Sequence, residues 1–340
     1  MNPIPSYRAD LMQPYLEFFG SIGAPVEREL RQVGLPTMLI DEPGIYLPTL
    51  PTVAFFKQLS QREGIDEMPL RALESLQLTD LNEQFSDRAL SAPSLKSALE
   101  SFRRLISIEN PYLEFWISKG DTSARLCILC RSPMDPLERR NEDWSELLFL
   151  RAIVQAFAGP TWQPEEMGFH SPVPLSRYAS DRFPNTRFHT SQESAWITIP
   201  RELLSLPPFS TPQTSRSGGN AAAAAATLAD ELKTNLTVSL KAVLRAYLPE
   251  KLPPIEFAAD MTGTSVRTLQ RRLKQHGATY ADLISEIRYE RAAQRLRESD
   301  ETALNIALEV GYEDPSHFSR AFKRIAGVSP REYRRQHALH

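Results

Sequence analysis

Three regimes of hydrophobic and polar spacing follow one another along this chain. Over residues 1–206 apolar positions recur at both helical and strand periods. The helical period predicts helices over 10–19, 52–62, 94–108 and 144–158. Ser94 serves as N-cap of the third, and Glu142 or Asp143 suits the first turn of the fourth. Alternation over 112–117 and 124–129, bounded by Lys119-Gly120-Asp121, predicts a β-hairpin. Short strands at 167–170, 187–189 and 195–199 complete an α+β domain.

The second regime is a break. Residues 207–226, PPFSTPQTSRSGGNAAAAAA, hold three prolines, a Gly-Gly pair and small polar residues, too little apolar surface to fold alone. The alanines lead into a helix expected to run through Leu228, Leu232, Leu236, Leu240 and Leu244 until Pro249 ends it.

From residue 250 to 337 the strand period disappears and short helices follow one another. A helix over 255–262 stops at Gly263, Ser265 caps the next, and 266–274 turns Val266, Leu269 and Leu273 inward. Arg267, Thr268, Gln270, Arg271 and Lys274 are left outside. The pattern recurs: 304–310, a turn at Gly311, an Asp314 cap with Pro315 in the first helical position, and an apolar face of Phe318, Phe322 and Ile325. Ser316, His317, Ser319, Arg320 and Lys323 face outward there. Between the two, 280–297 reads as one longer helix with Leu283, Ile284, Ile287, Ala292 and Leu296 inward, its stripe slipping after Ile287. At about 1.5 Å per residue that rod spans roughly 27 Å. Successive major grooves on one DNA face lie about 34 Å apart. The expected fold class is an α+β N-terminal domain (1–206), a linker (207–226) and an all-α C-terminal domain (227–340). The last carries two helix-turn-helix units, 255–274 and 303–325, joined by a linker helix.

Charge sharpens the division. The net charge is −3, yet residues 251–340 hold 15 Lys and Arg against 12 Asp and Glu, leaving 24 against 30 upstream. A basic module on an acidic body fits a polyanion partner for the C-terminal part alone. At 340 residues, 41% hydrophobic and 24% charged, the chain is an ordinary globular one too long for a single core. Its longest low-polarity run, the alanines at 221–226, is far short of a membrane span, and the N-terminal residues lack a signal-peptide pattern. With two cysteines only, a cytoplasmic setting without membrane contact is expected.

Enzymatic chemistry finds little support. G-x-S-x-G, Walker, G-x-G-x-x-G and H-E-x-x-H patterns are missing, and His170, His189 and Asp181 are scattered polar residues. Cys127 and Cys130 form C-x-x-C, but on a strand their side chains leave opposite faces, which suits neither a metal nor a redox pair. No catalytic residue, metal or cofactor is expected. Trp116, Trp144, Phe149, Phe157, Trp162 and Phe169 are read as core, with a ligand pocket among some of them as the alternative.

The runs SVRTLQRRLK, IRYERAAQRL and IALEVGYEDPSHFSRAFKRIAGVSPREYR resemble the AraC/XylS class of bacterial transcription regulators over about residues 230–336. Upstream, Trp162-x-Pro164, Met167-x-Phe169, Phe183-Pro184-Asn185-Thr186 and Ile199-Pro200-x₂-Leu203-Leu204 resemble the arabinose-binding/dimerisation type of N-terminal domain. The resemblance implies base-reading positions at Arg267, Gln270, Arg271, Ser316, His317 and Arg320, with Thr268 and Ser319 on the same faces. It places Arg272, Lys274, Lys323 and Arg324 toward phosphates, which position without specifying. Implied partners are double-stranded promoter DNA, RNA polymerase, a small-molecule effector and a second copy of the chain. The implied role is a transcriptional activator; the alternative is a non-sensory dimer controlled by its abundance. Two departures stand out: Thr262 and Ala303 occupy positions where the family favours larger aliphatic residues.

Overall fold

One long helix, Pro136–Ala158, organises the N-terminal half of the computed structural model, which describes residues 4–37, 45–80, 83–110, 112–132, 134–209, 231–248 apart from 233, and 250–337 apart from 251. In chain order the elements of this half begin with β1 (Ser6–Arg8), α1 (Gln13–Ser21), α2 (Val26–Gln32), β2 (Tyr46–Pro48) and α3 (Thr49–Arg62). They continue with α4 (Met68–Ala72), α5 (Glu83–Leu90), α6 (Leu95–Glu109), β3 (Leu113–Lys119), β4 (Ser123–Cys130) and α7 (Pro136–Ala158). The last are β5 (Glu166–Gly168), α8 (Arg177–Arg182), β6 (Arg187–His189) and β7 (Ala195–Pro200).

A five-stranded sheet runs in the order β3-β4-β7-β5-β6, with only the β5–β6 pair parallel. The predicted hairpin is its edge, Phe115 opposite Ile128. Ala124, Leu126, Ile128 and Cys130 alternate into the core from one face of β4, while Cys127 leaves by the other toward Trp196. Both thiols are buried and free, as expected of strand cysteines. Gly168 lies so close to the Trp196 indole that a Cβ there would meet it at 2.1 Å, so β5 can approach β7 only without a side chain. Trp116 corrects the core assignment: on the solvent face of the edge strand β3, it stands exposed.

The fourth predicted helix starts two turns early, at Pro136 instead of residue 144. Asp135 accepts from the backbone N–H groups of Leu137 and Glu138, and Glu138 accepts in return from the Asp135 N–H. Glu142 and Asp143 therefore lie about two turns into α7 instead of in its first turn. The polar run before Trp144 hides the start because its charges are buried with partners. Arg139 donates to the carbonyls of Cys130 (2.8 Å) and Ser132 (2.7 Å), and Arg140 to Asp66 (2.7 Å). Trp144 is fully buried against Phe169 and Phe183.

Downstream come α9 (Leu236–Arg245), α10 (Ile255–Met261), α11 (Val266–Gln275), α12 (Tyr280–Glu298), α13 (Ala303–Glu309), α14 (Pro315–Ala326) and α15 (Pro330–His337). The leucine stripe is not one helix. Asn235 adopts extended backbone and accepts from Thr237 and Val238 N–H, starting α9 afresh, although Leu232, Leu236, Leu240 and Leu244 are all buried. The linker beyond residue 209, Leu228 and Pro249 lie outside the described residues.

The slip in the α12 stripe has a structural meaning. Leu283 and Ile287 pack into a core continuous with α9, α10, α11 and the N-terminal half. Ala292, Ala293 and Leu296 turn to a separate small core with Ile306, Ala307, Val310, Phe318 and Phe322. Ile325 does not join it: at the last turn of α14 it is 39% exposed. Ala303 packs at the rim of this small core. The Thr262 hydroxyl is spent on the Ala259 carbonyl at 2.7 Å. None of the described helices is long and apolar enough to cross a membrane.

Candidate nucleic-acid interface and interior cavity

Each helix-turn-helix unit is built from a short helix, a glycine in the left-handed region and a capped second helix. Gly263 (φ +61°) and Gly311 (φ +80°) make the two turns. The Ser265 hydroxyl accepts from the Thr268 N–H at 3.3 Å to open α11, and the Asp314 carboxylate accepts from the Ser316 N–H at 2.7 Å to open α14. That bond, helped by His317 and Arg320, holds the Asp314 carboxyl below its ordinary range. The cap is thus charged at neutral pH, and its contribution fades only as pH falls through the lowered value. Replacing Ser265 with Ala is expected to cost about 1 kcal/mol, and with Asp almost nothing, read from urea denaturation.

Leu269 and Leu273 seat α11, and Phe318 and Phe322 seat α14, leaving the opposite faces free. Arg267, Gln270, Arg271 and Lys274 are exposed, whereas Thr268 and Arg272 are half-buried and the Thr268 hydroxyl engages the Ser265 cap. On α14, Ser316, His317, Ser319, Arg320, Lys323 and Arg324 are all exposed, with the His317 ring 3.6 Å from Asp314.

Pairing separates these cations from their neighbours. Arg245 is tied to Glu290 (2.6 Å), Lys241 to Glu286 (2.9 Å), and Arg291 and Arg295 to Glu309 (3.1 and 2.9 Å). Arg267, Arg271, Lys274, Arg320 and Lys323 make no ion pair among the described residues. Cations left unpaired on exposed helix faces have the chemistry to meet phosphates and base edges. The Arg288 guanidinium lies over the Tyr312 ring at 4.8 Å, bracing the second unit on α12.

The N-terminal half holds a partly open cavity of about 130 Å³ between α1, α3, α6, β4 and α7. Met12, Phe56, Phe102, Ile128 and Phe149 line it, together with Asn141, Glu142 and Glu146 of α7. Of the aromatics read as core, Phe149 alone is on this wall; Trp144, Phe157 and Phe169 are buried elsewhere. The sequence reading missed Glu142 and Glu146. The signal was present: 142, 146 and 149 share one helical face, on which two carboxylates lead an aromatic residue. The Cys130 thiol, Glu142 and Glu146 lie within 4.8 Å of one another. His170, His189 and Asp181 stay apart, each with a local neighbour: the Gln192 carbonyl, Glu166 and Arg177.

Two capped helix-turn-helix units on a common helix, beside a sheet-containing half with a partly open cavity, define a DNA-binding transcription regulator. The family described as the arabinose-binding domain of AraC transcription regulator, N-term, matches residues 23–208, and the helix-turn-helix domain family matches residues 258–336. The chain belongs to the AraC family of transcription regulators. The ornithine utilization regulator of Pseudomonas aeruginosa is 31% identical over 189 residues, 54% of this chain and 54% of that protein. The HTH-type transcriptional activator RhaS of Escherichia fergusonii is 44% identical over 80 residues, 23% of this chain and 29% of that protein. The matched segments thus span about half or less of these relatives. Among solved structures, the transcriptional regulator CdpR from Pseudomonas aeruginosa aligns over 92% of this chain and 96% of its own, at 18% identity and a TM-score of 0.39.

Proposed function

We propose that the chain is a cytoplasmic, sequence-specific activator that binds promoter DNA as a homodimer, contacts RNA polymerase there, and answers to a small effector. Residues 1–206 would hold the effector and dimerise, 207–226 would link, and 227–340 would read DNA. The observation that carries the DNA reading is the set of unpaired cations on the exposed faces of α11 and α14. Arg267, Gln270, Arg271, Ser316, His317 and Arg320 are assigned to base edges, with Thr268 and Ser319 beside them. Arg272, Lys274, Lys323 and Arg324 are assigned to phosphates. Chemistry on a substrate has no role in this reading.

The cavity favours a sensory protein over one controlled by abundance alone. The N-terminal half also touches the C-terminal part directly. The Ile4 backbone N–H donates to the Ser239 hydroxyl of α9 (3.2 Å), and Thr37 donates through N–H and hydroxyl to Glu250 (2.6 Å each). Because the first unit shares its core with the N-terminal half, a ligand that repacks the cavity biases how α11 is presented. Genome-wide mapping of bound sites, followed by footprinting, tests the reading. Two protected half-sites on one DNA face are expected. Preference no greater than that for competitor DNA would overturn it. Sedimentation of the full chain as a monomer at micromolar concentration would remove the dimer.

A further inference from the structure

Among the described residues, the buried acids other than Glu146 accept hydrogen bonds. Glu67 accepts from Trp144 Nε1 (3.3 Å), from the Ser176 backbone N–H (3.1 Å) and from the Ser176 hydroxyl. Asp143 accepts from the Ser171 N–H at 2.8 Å. Glu146 is the exception. It is 3% exposed, lines the cavity, and neither carboxylate oxygen has a hydrogen-bond partner. Asn141 Oδ1, on the same wall, is also buried and unpartnered. For an ionised Glu146 the missing groups are therefore all donors. Two donors on the wall are already committed, the Tyr15 hydroxyl to Ser145 (2.6 Å) and the Lys57 ammonium to Asp135 and Glu138 (2.8 and 3.0 Å). A buried acceptor left bare is costly, and a fold that tolerates one commonly keeps it for a ligand.

We propose that this cavity binds a small organic ammonium ion, its N–H donors on Glu146 with Glu142 beside it and its apolar body against Phe56, Phe102 and Phe149. This rests on the reading of the N-terminal half as effector-binding and names the effector's chemistry. The aromatic walls suit an alkylammonium twice over, by apolar contact and by attraction of cation to ring faces. At about 130 Å³ the space is well below a drug-sized pocket, so the ligand has few heavy atoms. A carboxylate ligand would meet Glu142 and Glu146 head-on. A pentose would strand hydroxyls against apolar walls on most sides. A metal ion on Cys130, Glu142 and Glu146 would find three ligand atoms and leave the apolar space empty.

Protonation supports the assignment. Desolvation, with Glu142 and Asp143 beside it, pushes the Glu146 carboxyl well above its ordinary range, against the opposing pull of Arg139. Cys130 on β4, Tyr15 on α1 and Tyr7 on β1 face the same carboxylates, all three pushed up by burial. An ammonium ion restores the charged carboxylate, so its binding releases a proton and tightens as pH rises toward the amine's own pKa.

The test uses the full chain and n-hexylamine, with n-hexanol and hexanoate as its neutral and anionic mates, and with arabinose and zinc ion, by thermal shift and titration calorimetry. Hexylamine alone is expected to raise Tm, and Glu146→Gln to weaken it by about tenfold or more. Glu146→Met, which removes the bare acceptors, is expected to raise the Tm of the free protein by about 2–4 °C while abolishing hexylamine binding. Stronger binding of hexanol, hexanoate, arabinose or zinc overturns the ammonium assignment and leaves an effector site standing. Hexylamine binding unchanged in both variants moves the ligand away from Glu146 and overturns the assignment too. No binding by any of the five overturns the effector reading with it.

Discussion

Phe322→Ala is expected to unfold the second helix-turn-helix unit and leave the first intact. Phe322 is 2% exposed and is the hub of the small core, with ring centroids 5.0 Å from Tyr289, 5.7 Å from Phe318 and 5.3 Å from Tyr333. Cutting a buried phenylalanine to alanine costs about 3–5 kcal/mol through lost burial and the cavity left behind. A whole domain commonly holds only about 5–15 kcal/mol, and this core is assembled from α13, α14 and half of α12. The first unit does not depend on Phe322, because Leu269, Leu273, Leu283 and Ile287 are in the larger core. Hydrogen exchange is the direct measurement. Amides of α13, α14 and α15 should lose protection while those of α10 and α11 keep it, and the footprint should contract to the half-site of the first unit. Equal loss of protection in both units would show one cooperative domain and defeat the two-core account.

The C-terminal third was legible because its rules are local. Ser265, Asp314, Gly263 and Gly311 act on the backbone within a turn of themselves, so caps and turns could be read without tertiary knowledge. Even the slip in the α12 stripe was visible, although its cause, a helix serving two cores, needs both partners to be seen. What escaped depends on distant segments. The pairing of Ser6–Arg8 with Tyr46–Pro48 joins residues far apart in sequence. The first two turns of α7 read as surface because Arg139 and Arg140 find their acceptors on β4 and before α4. Asn235 looked like one polar residue within a leucine stripe, and its capping bond broke the helix there. Glu146 escaped for a related reason: the face it shares with Glu142 and Phe149 could be read locally, but its burial depends on distant residues such as Tyr15 and Ile128.

The second large effect concerns the reading face. Arg271→Ala and Arg320→Ala are expected to weaken binding to the preferred site by roughly 10- to 100-fold each, about 1–3 kcal/mol apiece for a bidentate arginine–guanine pair. The two residues stand on different units, so the double variant should approach the sum of the two losses. Each is exposed and without an ion pair among the described residues, so their removal should leave the melting temperature nearly unchanged. That separates a reading role from a structural one. Arg295→Ala supplies the contrast, since its guanidinium holds Glu309 at 2.9 Å and braces α13 on α12. There, stability should fall before preference does. Lys274→Ala calibrates the electrostatic part: without its ammonium to neutralise a phosphate, every sequence should bind more weakly alike, and the slope of log affinity against log salt should fall by about 1. Base preference at single positions, measured by competition against a substituted-site library, discriminates the outcomes. Relaxed preference at different base pairs in the two arginine variants, with only the salt slope altered in Lys274→Ala, fits two helices reading separate stretches of one groove face. Uniform weakening in all three variants would instead make α11 and α14 a phosphate clamp, with specificity residing in DNA shape or elsewhere on the chain.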